Sequence, residues 1–176
     1  MTRSSAFVSI SHTVRGSKSF EKALKEAART AMYVGIASGS KGDKRSDESG
    51  ISNSQLGFVH EFGSPAANIP ARPFLVPGVK SVMGDVKAQM ADATRALLKK
   101  DGDGFQSTLE RCALSTADAV REYVMQNQAS FVPLSGKTLK SREKKIAKVG
   151  GTPDKITILM DTNSLLRAVD GVVVKE

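Results

Sequence analysis

One cysteine, two histidines, no tryptophan and no unbroken apolar run near the ~18 residues of a membrane span narrow the options for this 176-residue chain at once. Cys112 alone cannot form an internal disulfide, and with so few histidines it cannot build a Cys/His zinc cage. The N-terminal MTRSSAFVSISH lacks the apolar core of a signal peptide, so the chain is expected to stay where it is made, with no membrane partner. What is present is globular in character: 40% hydrophobic and 25% charged residues, enough for one core in one domain spanning 1–176.

Charge is unevenly placed within a net of +8. Residues 1–31 carry a net +4, and 133–150 a net +5 from Lys137, Lys140, Arg142, Lys144, Lys145 and Lys148 against Glu143. The second cluster could meet nucleic-acid phosphates. No aromatic residue lies between Leu134 and Gly150 to stack on a base, so residues 135–151 are read as a solvated, flexible basic loop.

Periodicity organises the rest. Residues 6–14 alternate as a first strand. Phe20, Ala23, Leu24, Ala27, Ala28 and Ala31 recur at helical spacing, with Ser17 or Ser19 as N-cap, and residues 32–38 follow as a central strand. The stretch 39–50 has no apolar residue and is expected to be an exposed, flexible loop. A helix starts near Ser52, with Asn53 and Gln55 facing solvent, and breaks at Gly63. Four prolines, Pro65, Pro70, Pro73 and Pro77, then predict a stiff extended chain. Val79 to Leu97 and Phe105 to Val124 trace two apolar helix faces around Asp101-Gly102-Asp103-Gly104, which predicts a helical hairpin or a kinked long helix. Residues 155–160 read as a strand, 163–169 as a short helix and 171–176 as a closing strand.

No catalytic, cofactor or metal site can be assembled from these parts. His60-Glu61 opens like a zinc-protease helix, but Ser64 stands where the second histidine must be. Asp101 and Asp103 open like a calcium loop, but Phe105 and Cys112 occupy ligand positions. Cys112 lies on an apolar helix stripe, which predicts a buried, inert thiol. What stands out is residues 58–79, where Phe58, Phe62, Ile69, Phe74 and Leu75 ride on a proline-stiffened chain with Arg72 between Pro70 and Pro73. Two readings are open: a preorganised interaction surface, or an apolar turn tucked under the helices.

His60-Glu61-Phe62-Gly63-Ser64 followed by Ile69-Pro70-Ala71-Arg72-Pro73-Phe74-Leu75 resembles the signature of tailed-bacteriophage neck, tail-completion and minor tail proteins, often called virion morphogenesis proteins. Pro133-Leu134-Ser135 with Thr138, and Leu159-Met160-Asp161-Thr162 with Leu165 and Leu166, resemble the same family's C-terminal elements. The likeness runs from about Tyr33 to Val174, with Asn163 in place of the usual glycine and a longer 39–50 loop. It implies a non-enzymatic virion protein of α+β fold: a small mixed or antiparallel sheet packed by an N-terminal helix and a long helical hairpin or kinked helix. It also implies a ring, expected to be a hexamer, at the head-tail junction or head-proximal tail end, with other copies of itself and head-completion, tail-terminator or tail-tube proteins as partners. Phe62, Ile69, Arg72, Phe74 and Leu75 are then the expected interface residues, with Arg72 expected to reach a neighbouring subunit or, within the fold, Glu61, Asp161 or a carbonyl. The basic residues would face genomic DNA in the channel. The alternative is a DNA-binding module acting through residues 137–148; a hydrolase would need a convergent polar site, which the sequence does not supply.

Overall fold

The structure, a computed structural model, describes residues 18–45, 50–148, 156–161 and 163–175. The expected strand at 6–14 lies outside these. Helix α1 (Lys18–Ala28) leads into strand β1 (Thr30–Gly35), followed by helices α2 (Asn53–Phe62), α3 (Leu75–Ser81), α4 (Met83–Leu98), α5 (Gly102–Gln126), α6 (Gly136–Lys148) and α7 (Ser164–Ala168), and strand β2 (Asp170–Lys175). The fold is α+β, and β1 and β2 pair antiparallel in register from Thr30 with Lys175 to Gly35 with Asp170. Among the described residues β1 pairs with β2 alone.

Helix α5 is the axis of the molecule. Its 25 residues put Phe105 and Leu109 into one cluster with Ala23, Ala93 and Leu97, and Ala117, Val120 and Val124 into another with Phe74, Phe131, Leu159, Leu165, Leu166 and Val169. Between the clusters Cys112, Ala113 and Thr116 are fully enclosed, and burial pushes the Cys112 thiol up, as an inert core cysteine requires. Asp101 starts α5 by accepting a hydrogen bond from the Gly104 N–H at 2.8 Å, while Lys100 takes a left-handed conformation, so α4 and α5 form a hairpin and not a kinked helix. Gly78 makes the approach of α3 possible: a Cβ there would lie 2.8 Å from the Cα of Val120.

Four expectations fail for identifiable reasons. Of the expected extended chain, residues 65–68 form a 3-10 turn and a reversal and 75–77 the first turn of α3, where Pro77 has no helical N–H partner to lose. Residues 136–148 are helix α6 and not a loop, because Leu139, Arg142 and Ile146 recur at helical spacing on its half-buried side. Residues 156–160 form no strand: Leu159 has φ of 64°, and the amide of Gln128 serves the Ile158 backbone in place of a neighbouring strand, accepting from its N–H at 2.6 Å and donating to its carbonyl at 3.2 Å. Within the loop expected to be exposed, Asp43 is instead buried and accepts hydrogen bonds from the Gly39 and Ser54 N–H groups.

Candidate protein-interaction surface

The site begins with α2. Ser52 and Gln55 form a reciprocal capping box at its start. Asn53, expected at the surface, is 1% exposed and donates to the Gly42 carbonyl at 2.7 Å and to Ser164 Oγ at 2.9 Å. Residues 39–45, α2 and α7 are thereby fixed together by one amide. At the other end Gly63 closes the helix with φ of 79°, and a Cβ there would lie 2.9 Å from the Ala71 nitrogen. Only glycine tolerates both conditions. Ser64 and Ile69 then pair across a tight reversal whose corner is Asn68, left-handed at φ of 52°.

Two charged side chains hold the returning strand of this reversal. Glu61, on α2 and 8% exposed, accepts hydrogen bonds from the backbone N–H groups of Phe74 at 2.8 Å, Leu75 at 2.9 Å and Val76 at 3.1 Å. It supplies from a distant helix the acceptors that the start of α3 needs, and its negative charge faces the positive end of that helix. Arg72, 6% exposed, donates from Nε to the Val132 carbonyl at 2.7 Å and from Nη2 to the Pro133 carbonyl at 2.9 Å, while its own N–H donates to the His60 carbonyl at 2.6 Å. Arg72 is thus an internal staple. Of the partners expected for it, the carbonyl within the fold is found; Glu61 is engaged with α3, and Asp161 lies with Arg142 at 3.6 Å and Lys145 at 3.4 Å.

The five expected interface residues therefore divide. Phe74, 1% exposed, belongs to the core, Arg72 is spent inside the subunit, and Leu75 is half-buried against the core cluster. Phe62 is 65% exposed and Ile69 is half-buried. Phe62 packs against Phe58, itself 64% exposed, with ring centroids 4.9 Å apart and the rings tilted at 48°. The two rings are joined at the surface by Ile51 and Val76, and beside them opens an apolar groove of about 210 Å³ lined by Ile36, Gly57, Phe58, Phe62, Leu75 and Val76. Phe58 is signalled by its one-turn spacing from Phe62; Val76 and Ile51 become neighbours only through the fold.

The six basic residues of 137–148 also divide. Lys137, Lys140, Lys144 and Lys148 follow spacings of three and four along α6 and form one exposed stripe. Arg142 points to the other side, where it donates to the Thr157 carbonyl at 2.6 Å and lies beside Asp161. Among the described residues no helix is long and apolar enough to cross a membrane. The chain matches no protein-family model, no curated protein and no solved structure.

Proposed function

We propose that this protein is a structural component of a tailed-phage virion, a ring-forming subunit at the head-tail junction or head-proximal tail end, acting by assembly and not by catalysis. The observation that carries this reading is the Phe58–Phe62 pair, two largely exposed aromatic rings on a backbone that Gly63, Glu61 and Arg72 hold rigid. Exposed aromatics on preorganised chain are the usual anchors of protein interfaces, since little ordering entropy is lost when they dock. The motif residues around them are those that resemble neck and tail-completion proteins. Partners are other copies of this chain, as a hexamer, and neighbouring virion proteins. The test is native mass spectrometry of the protein alone and with co-expressed neck and tail proteins, beside Phe58→Ser/Phe62→Ser. The expected result is a closed oligomer or co-complex that the double variant loses while its melting temperature holds. A wild-type chain that stays monomeric in every mixture overturns the reading.

One observation favours the DNA-binding alternative: the stripe of four exposed lysines on α6. Four phosphate contacts give a log Kobs against log salt slope of about −3.6 on duplex DNA. Fluorescence anisotropy with the isolated chain measures it. Tight, steeply salt-dependent binding by the monomer supports a DNA-binding module, and a flat, weak response excludes it.

A further inference from the structure

Helix α6 has no buried residue. Arg142 and Lys145 tie it to the body through the Thr157 carbonyl and Asp161, and a helix of 13 residues held so lightly is marginal unless its outer side is covered as well. That outer side is the stripe of Lys137, Lys140, Lys144 and Lys148, all exposed and none in an ion pair among the described residues. The same chain carries the complement. In a protein of net charge +8 the outward face of α5 is acidic: Asp103, Glu110, Asp118 and Glu122 follow one another at spacings of seven, eight and four, against Arg111 and Arg121. Arg121 is turned inward to the Leu166 and Val169 carbonyls and pairs with Asp118, whereas Glu110 and Glu122 meet only the side-chain amides of Gln106 and Gln126, each at 2.7 Å. Exposed Leu114 and Met125 lie among these carboxylates.

We propose that the lysine stripe of α6 docks on the acidic face of α5 in a second copy of this chain. Charge sign and length both match. Lys137 to Lys148 is a rise of about 16 Å and Glu110 to Glu122 one of about 18 Å, so whichever way the two helices run, each end lysine falls opposite a glutamate. The methylene stems of the lysines cover Leu114 and Met125 while their ammonium groups reach the carboxylates. Stripe and face are different surfaces of one subunit, so the contact is heterologous and repeats head to tail. It rests on the ring-forming reading and deepens it: the aromatic strip supplies apolar anchorage, and this contact fixes which face of the neighbour is met. Duplex DNA would engage the same ammonium groups, but it would leave the acidic face and its two apolar side chains uncovered, and the stripe holds no arginine to fork onto a phosphate.

The experiment is sedimentation velocity of the full chain beside two charge reversals, Lys137→Glu/Lys148→Glu and Glu110→Lys/Glu122→Lys. All four side chains are exposed on helix surfaces, and circular dichroism melting checks that both variants fold. The expected result is a wild-type oligomer whose dissociation constant rises about tenfold or more between about 50 and about 500 mM sodium chloride, with each variant weaker than wild type by at least about tenfold. Mixing the two variants should restore assembly, because each then meets the opposite sign on both sides, an outcome that neither a damaged fold nor a lost DNA contact produces. The wild-type salt series decides without any variant: an oligomer that salt does not weaken overturns the proposal. An oligomer indifferent to both reversals overturns the docking and leaves the ring-forming reading standing. So does a chain that is monomeric alone and assembles only with neighbouring virion proteins, whereas a chain monomeric in every mixture overturns both. Lysine reversals that abolish duplex binding in the anisotropy assay without changing the oligomer overturn the docking and assign the stripe to DNA.

Discussion

Replacing Glu61 tests whether the signature segment is held by its own charge. The carboxylate accepts three backbone N–H groups at the start of α3, those of Phe74, Leu75 and Val76. Hydrogen bonds to a charged acceptor contribute about 1.5–3 kcal/mol each, but these three share one carboxylate and are not additive. In Glu61→Ala the N–H groups of half-buried Leu75 and exposed Val76 recover water, whereas that of Phe74, a residue 1% exposed, is left without an acceptor. The net cost is about 3–5 kcal/mol. Glu61→Gln keeps one carbonyl acceptor and loses the charge facing the helix end, at a cost of about 1–2 kcal/mol. For a domain of this size each kcal/mol moves Tm by about 2–4 °C, so the alanine variant should melt about 6–20 °C lower and the glutamine variant about 2–8 °C lower. Circular dichroism melting of the three proteins is the assay. An alanine variant within about 2 °C of wild type, or two variants that melt together well below it, would refute the idea that the charged cap orders α3.

Two further outcomes follow from neighbouring contacts. Arg72→Ala removes two charge-assisted hydrogen bonds to the Val132 and Pro133 carbonyls and should destabilise the isolated subunit by about 2–4 kcal/mol, with Arg72→Lys in between; an unchanged denaturation midpoint together with failed assembly would return Arg72 to an intersubunit role. Asp43 is held down to about 2 by the N–H groups of Gly39 and Ser54, below its unfolded value near 3.9, so its contribution is present above about pH 4 and is lost as pH falls toward 2. The melting gap between wild type and Asp43→Asn should therefore be widest above pH 4 and close in acid, and a gap that stays constant down to pH 2 would show that the carboxylate charge plays no part.

Local pattern alone determined a good deal. The apolar stripes that become α4 and α5, the turn at Asp101, the buried Cys112 and the closing strand β2 all follow from periodicity and turn chemistry within a few residues. The end of α2 was legible in the same way, through Gly63. Tertiary structure decided the rest, because each remaining feature depends on a partner far away in the chain. Asn53 has the composition of a surface residue until Gly42 and Ser164 close over it, and residues 156–160 have the pattern of a strand until the Gln128 amide takes up the Ile158 backbone. Helix α6 carries too few apolar residues to announce itself, and its folding sorts six basic side chains into a stripe of four lysines, Lys145 beside Asp161 and the Arg142 guanidinium turned inward. Arg72 and Phe74 share the motif with Phe62, yet two are drawn inside and one is left out. Sequence spacing specifies which side chains share a face, but which face meets the core is decided when α5 supplies the surface they pack on.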